Sequence, residues 1–433
     1  MIKSDYRYYL SALGLNMVWD AYPYVMALRD GLRILPGGNI STAAFWSVGL
    51  ILMIPANIFQ KISFPNKILA FIWLSFVALV FIYLNYYAAH YYRYTFTDIR
   101  ETFTFVVPLM FLFACLYYPN EQISKLIPVT FFYTLFSSIL FLYIFFTNPG
   151  SIGERAALKF ANGGSGNPHT FAANALKLVL SGLLLSGMTQ SFFKKIILYF
   201  VTFIGIGIII MSRSSSTIYC SVLSALIFIF FGLLKTSNLF SVSKIKVLGG
   251  FIAVLLLVKI ILERSPKLSL MYYLYTDQIS RRFYNMIYTI SGLESGSRTT
   301  ISVRDASSQG RLSSINYVKS MFEEKRWGDI IVGEGYRANV LDFPVLEALA
   351  NHGILGFILF NLFAIFMAVY TIREYINPSN SFTILLSYYG LTVLLGFVSG
   401  GWIPEAASWI VLVPFIRFLG IPHSPKTSSM AIN

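Results

Sequence analysis

Residues 194–235 read KKIILYFVTFIGIGIIIMSRSSSTIYCSVLSALIFIFFGLLK. Two apolar runs, 196–212 and 215–234, are parted only by Met211-Ser-Arg-Ser-Ser-Ser216. Lys194, Lys195 and Lys235 bound the pair, and Arg213 stands in the turn. A helix needs about 20 apolar residues to cross a bilayer core. In lipid the backbone must satisfy its own polar groups, which a helix does. The stretch therefore reads as a helical hairpin through a membrane, re-entering at a tight turn.

The pattern recurs along the chain. Apolar segments fall at 8–28, 40–60, 68–89, 102–118, 126–147, 171–188, 247–263, 344–371, 382–399 and 404–420 besides the two above. The first carries Asp20 and Pro23 and is the weakest of them. The expected fold is an all-α polytopic membrane protein of about 12 transmembrane helices. Residues 1–263 hold helices 1–9, 264–343 form a large polar loop domain, and 344–433 hold helices 10–12 and a cytoplasmic tail.

Composition agrees. The 433 residues are 56% hydrophobic and 12% charged, against about 25% charged in soluble domains. So little charge cannot cover a globular surface, and the bilayer is the expected solvent. The net charge of +14 does not indicate nucleic acid, because basic residues cluster at the ends of apolar runs and no nucleic-acid motif accompanies them. Cys115 and Cys220 lie in apolar runs and read as small core residues. His90, His169, His352 and His423 are scattered without zinc spacing, so neither a metal site nor a cofactor is expected. Lys3 and Arg7 precede an apolar stretch without a small-residue cleavage site, which reads as a retained first span.

Charge also gives orientation. With both ends in the cytoplasm, twelve basic residues lie on inner segments and seven on short outer loops. That bias favours this orientation. Outer segments then hold fourteen of the seventeen arginines, while inner segments hold ten of the sixteen lysines. The loop domain is the most biased part, with Arg264, Arg281, Arg282, Arg298, Arg304, Arg311, Arg326 and Arg337 against Lys267, Lys319 and Lys325. Arginine grips phosphate or carboxylate through a planar fork, whereas lysine is a point charge. The loop reads as an anion-holding surface on the outer face. Within it, Gly310 to Phe322 has helical periodicity, with Leu312, Ile315, Val318 and Phe322 on one face expected to pack inward. Arg311 then sits in the first turn, where a cation opposes the helix dipole. Gly333-Glu-Gly335 marks a turn.

Four places resemble the bacterial O-antigen polymerase and O-antigen ligase superfamily. Asn167-Pro-His-Thr-Phe-Ala-Ala-Asn174 opens the sixth span. Met211-Ser-Arg-Ser214 ends the seventh. Gly310-Arg311 begins the loop helix. Asp342-Phe-Pro-Val-Leu-Glu-Ala-Leu-Ala-Asn-His-Gly353 enters the tenth span. With the late outer loop, the resemblance covers about residues 120–400. It implies a GT-C-like, metal-independent glycosyltransferase of the bacterial inner membrane, its active site facing the periplasm. The implied partners are an undecaprenyl-pyrophosphate-linked oligosaccharide, the lipid bilayer and a chain-length regulator. The closer expectation is a polymerase, which moves the growing glycan from its lipid carrier onto a sugar hydroxyl of the next lipid-linked repeat unit. The alternatives are a ligase, which gives the glycan to lipid A-core, and a lipid-linked sugar flippase or other transporter.

The resemblance also assigns roles. An acceptor hydroxyl attacks the anomeric carbon and the pyrophosphate leaves, so arginines are expected to neutralise it. Arg213 and then Arg311 are the first candidates. Arg281, Arg282, Arg298, Arg304 and Arg337 form a pool for phosphate or acidic sugars, with Arg155 and His169 from an earlier outer loop. The family has a histidine ten residues before a glycine; counting back from Gly353, this chain has Asp342. Asp342 reads equally as a general base and as a helix cap before Pro344. Glu347 reads as a second base or an arginine partner. His352 reads as packed within the membrane, and Lys177 and Lys259 as snorkelling.

Overall fold

The computed structural model describes residues 2–36, 40–55, 57, 59, 62–86, 97–147, 168–212, 217–224, 227, 273, 306–399 and 409–421. Among these, the regular structure is helical throughout. The helices are α1 (Ile2–Trp19), α2 (Ala21–Val25), α3 (Ile40–Met53), α4 (Lys67–Tyr86), α5 (Thr97–Leu116), α6 (Leu126–Thr147), α7 (Pro168–Met188), α8 (Phe192–Ser212), α9 (Ala306–Glu323), α10 (Trp327–Val332), α11 (Pro344–Ile376), α12 (Ser381–Ser399) and α13 (Val413–Phe418). Short π and 3-10 turns join some of them, at Met26–Gly31, Asn120–Lys125 and Ile410–Leu412.

Among the described residues, five helical stretches are long and apolar enough to cross a membrane: Lys67–Tyr86, Asn120–Thr147, His169–Met188, Phe192–Ser212 and Pro344–Ile376. Their outward faces are apolar. On α8, Phe193, Ile197, Phe200, Phe203 and Ile210 are exposed while Thr202, Gly205 and Ser212 are buried. A soluble helix would turn the hydroxyls out and the phenylalanines in. The reversed arrangement suits lipid as solvent. This is the make-up of an α-helical membrane protein.

Packing follows small residues. Gly14 and Gly49 face each other across α1 and α3, and a methyl on Gly14 would lie inside contact with the Gly49 carbonyl. Gly182 and Gly205 bring α7 against α8 in the same way. Polar groups tie neighbouring helices. Asn174 on α7 donates to the Thr134 carbonyl and the Ser138 hydroxyl, and accepts from Ser137, all on α6. This places the Asn174 of the sixth-span motif in helix packing.

The first apolar segment is broken rather than continuous. α1 stops at Trp19, Asp20 leaves helical geometry with φ −132° and ψ 44°, and α2 resumes with Pro23 inside it. Lys177 does not snorkel. Its Nζ lies 3.0 Å from Asp20 Oδ1, both groups buried. The same ammonium is 4.2 Å from the Trp19 ring centre and 4.7 Å from that of Tyr389. Tyr133 donates to the Asp20 carbonyl and Tyr24 donates to the Tyr133 carbonyl. Buried Arg417 likewise donates to the carbonyls of Cys115 and Tyr118 and to Asn120 Oδ1.

The chain divides into two compact units. One is Met1–Ser221 with Ser314–Asn433, and the other is Val222–Ser313. The candidate site below lies in the first.

Candidate functional site

The site is built where α11 breaks. Gly353 takes φ 64° and ψ −165° inside that helix, so Pro344–His352 and the run from Ile354 are two helices meeting at a kink. A side chain at Gly353 would strike the Ile331 carbonyl, and one at Gly333 would lie 2.5 Å from the Asn351 carbonyl. Both glycines have positive φ. The pair lets the end of α10 touch the α11 backbone directly. The two close approaches and the kink form one joint, which the Tyr83 hydroxyl of α4 tightens by donating to the Val332 carbonyl.

After Gly333 the chain is irregular as far as Phe343. Several of its backbone N–H groups are satisfied from α11. Glu334 N–H donates to the Ala350 carbonyl at 2.8 Å and Gly335 N–H to the Asn351 carbonyl at 3.1 Å. Those carbonyls are free because Gly353 interrupts the helix ladder. Asn339 N–H donates to Asn351 Oδ1 at 2.9 Å, and Asn351 Nδ2 returns to the Asn339 carbonyl at 2.8 Å. Leu341 N–H donates to Glu347 Oε2 at 3.2 Å, and Asp342 N–H to the Ser314 hydroxyl of α9 at 2.9 Å. Glu347 and Asn351 stand one turn apart on α11, fully buried, and form one strip that receives the segment. Irregular backbone beside a helix able to cross a membrane is stabilised when protein satisfies it in this way.

A second cluster holds the far side. Glu334 accepts from the Tyr317 phenol at 2.6 Å, from Arg326 and from Asn339 Nδ2. Arg326 also bonds Asp329, with Nε to Oδ2 at 2.8 Å. Burial, then the Glu334 bond, raises the Tyr317 phenol above its usual range, so it stays a donor. Beneath lies an apolar core of Val318, Met321, Ile330, Leu341, Leu349 and Ala350.

Some expectations are corrected here. α9 starts at Ala306, so Arg311 is in its second turn rather than its first. The buried face of α9 is Ser314, Val318 and Met321, while Leu312, Ile315 and Phe322 are exposed. The expected apolar stripe is rotated because Val318 and Met321 meet Ile330 and Leu349, and Ser314 must reach Asp342 N–H. Asp342 is not a cap. Phe343 holds the cap position of α11, and no side chain bonds there. At Gly333-Glu-Gly335 both glycines take positive φ and the chain bends at Glu334.

Of the candidate residues, three come together. Arg337 has φ 53°, packs its guanidinium 5.7 Å from the Tyr336 ring centre, and with Asp342 is close enough for both charges to act on Glu347. Among the described residues, the Asp342 carboxylate accepts no hydrogen bond and is partly exposed. Arg311 lies one turn before Ser314 on α9. His169 stands exposed in the first turn of α7. Arg155, Arg213, Arg281, Arg282, Arg298 and Arg304 lie outside the described residues. His352 packs within the helices as expected, its ring centre 5.2 Å from that of Tyr83 and 6.1 Å from that of Phe76.

Sequence reasoning missed Glu334, Asn339 and Asn351. One signal was present: Glu347 and Asn351 are four residues apart in an otherwise apolar run, hence on one helix face. The chain matches no family model, and no curated protein compared with it is similar.

Proposed function

We propose that the protein is a membrane glycosyltransferase of the O-antigen polymerase kind, acting at the outer end of α11. The observation that carries this reading is the cluster of Asp342, Arg337 and Glu347 at the entry of a helix able to cross a membrane. Asp342 is the part-exposed carboxylate of the three and accepts no hydrogen bond among the described residues. It therefore suits a general base. It takes the proton from an acceptor sugar hydroxyl as that oxygen attacks the anomeric carbon of the lipid-linked donor. The bond from that carbon to the pyrophosphate oxygen breaks, and its electron pair leaves with the pyrophosphate. Arg337 neutralises the charge that develops, and Arg311 and Arg213 are the further candidates that the resemblance gives for this role. Glu347 holds the segment that carries Asp342 through Leu341 N–H, and so acts as a positioning residue.

The test is turnover. Purified protein in bilayers with an undecaprenyl-pyrophosphate-linked oligosaccharide releases undecaprenyl pyrophosphate and lengthens the glycan. Release without lengthening, but with transfer to added lipid A-core, replaces the polymerase reading by the ligase one. Movement of the lipid-linked sugar across the bilayer without bond cleavage replaces it by a flippase. One observation speaks for that last reading, the Asp20–Lys177 charge pair buried among apolar segments.

A further inference from the structure

We propose that the α9–α10 hairpin is an interfacial membrane anchor, with Phe322, Trp327, Ile331 and Val332 seated in the leaflet at the Pro344 end of α11. Its occupant is lipid acyl chain. The inference rests on the membrane reading of the helices and is independent of the reaction proposed above.

Three observations carry it. First, the four side chains are 46, 55, 60 and 51% exposed, respectively, although all are large and apolar. Phe322 meets Trp327 edge-to-face at 6.3 Å, and Trp327 and Ile331 are one turn apart, so they form a continuous ridge. A soluble loop would not leave such a ridge in water.

Second, the depth of the ridge is fixed. The α10 end is joined to α11 at Gly353, nine residues inside a helix long and apolar enough to cross a membrane. At about 1.5 Å per residue this is about 13 Å below Pro344. Val332 is also tied to Tyr83, one turn before the end of α4, which is likewise long and apolar enough to cross a membrane.

Third, the ridge continues an apolar surface of the same kind. Ile354 and Leu355, next to the joint, are exposed on α11, as are Phe81 and Ile82 beside Tyr83 on α4. The Gly353 joint and the Tyr83–Val332 bond bring these apolar surfaces next to α10. Charged groups of the hairpin are paired: Arg326 and Tyr317 are bonded to Glu334, and the exposed Lys319 pairs with Glu323. Tryptophan at such a boundary is the usual anchor.

The experiment places an environment-sensitive fluorophore on single added cysteines in the full chain. Trp327→Cys, Ile331→Cys and Val332→Cys are compared with Glu324→Cys, in nanodiscs of phosphatidylcholine and phosphatidylglycerol. The unsubstituted protein, whose Cys115 and Cys220 are buried, gives the labelling background. Acyl-chain spin-labelled lipid should quench the three ridge labels several-fold more than the Glu324→Cys label, and aqueous iodide should do the reverse. Equal iodide quenching at all four sites overturns the proposal. Ridge labels shielded from both quenchers also overturn it, since protein then covers the ridge. A ridge variant that fails to fold is replaced by Phe322→Cys, for which the same outcomes apply.

Discussion

Among the described residues, the buried carboxylates Asp20 and Glu347 lie near breaks in apolar helices, and they are stabilised in opposite ways. Asp20 sits at the break between α1 and α2 and is held by a full positive charge, Lys177 at 3.0 Å. Glu347 sits before the break in α11 and is held by neutral donors, Leu341 N–H and Asn351 Nδ2. The first is a closed pair inside a cage of Trp19, Tyr389 and Tyr133. The second belongs to a strip that receives an irregular segment and is overlooked by Arg337 and Asp342. A charge pair fixes one helix contact. A strip of neutral bonds positions a loop without a charge pair of its own.

The comparison breaks most readily at the closed pair. Lys177→Met leaves Asp20 buried without its cation and should cost about 3–5 kcal/mol, read as a lower unfolding midpoint in detergent. Adding Asp20→Asn should restore most of it. A double variant no better than Lys177→Met would show that the pair is not the source of the loss.

At the open site the joint comes next. Gly353→Ala needs a positive φ and meets the Ile331 carbonyl. It should cost about 1–3 kcal/mol and raise proteolysis around 333–342. A midpoint equal to wild type would mean the two backbones are not pressed together. Glu347→Gln keeps an oxygen acceptor for Leu341 N–H and should cost about 1 kcal/mol, far less than Lys177→Met. A cost as large as that of Lys177→Met would mean Glu347 is part of a charge pair too. Tyr317→Phe removes one of three donors to Glu334 and should lower stability by about 0.5–1.5 kcal/mol. No change would mean Arg326 and Asn339 suffice.

The helical architecture was legible because lipid imposes a simple code: long apolar runs, lysine-rich ends and hydroxyls tucked inside. Those signals are local. The break at Asp20 was foreshadowed by Asp20 and Pro23, but its partner Lys177 is more than 150 residues away and no periodicity links them. The Gly353 kink was hidden because glycine is common in membrane helices and its φ is invisible in sequence. The bend at Gly333 to Gly335 was legible from composition, whereas its docking on Ala350 and Asn351 depends on carbonyls that only the kink sets free. The α9 stripe was misjudged by counting only apolar residues. Ser314, buried because it binds Asp342 N–H, turns the helix away from Leu312 and Ile315. Asp342 was found through a resemblance and not through any physical pattern.

The most direct test of the account is the turnover of lipid-linked oligosaccharide by Asp342→Asn beside the wild-type protein, with both unfolding midpoints measured. The side chain makes no hydrogen bond among the described residues, so the midpoint should not move. Loss of a general base should slow release of undecaprenyl pyrophosphate by about 10²–10⁴-fold. Turnover equal to wild type would contradict the assignment of the chemistry to the end of α11.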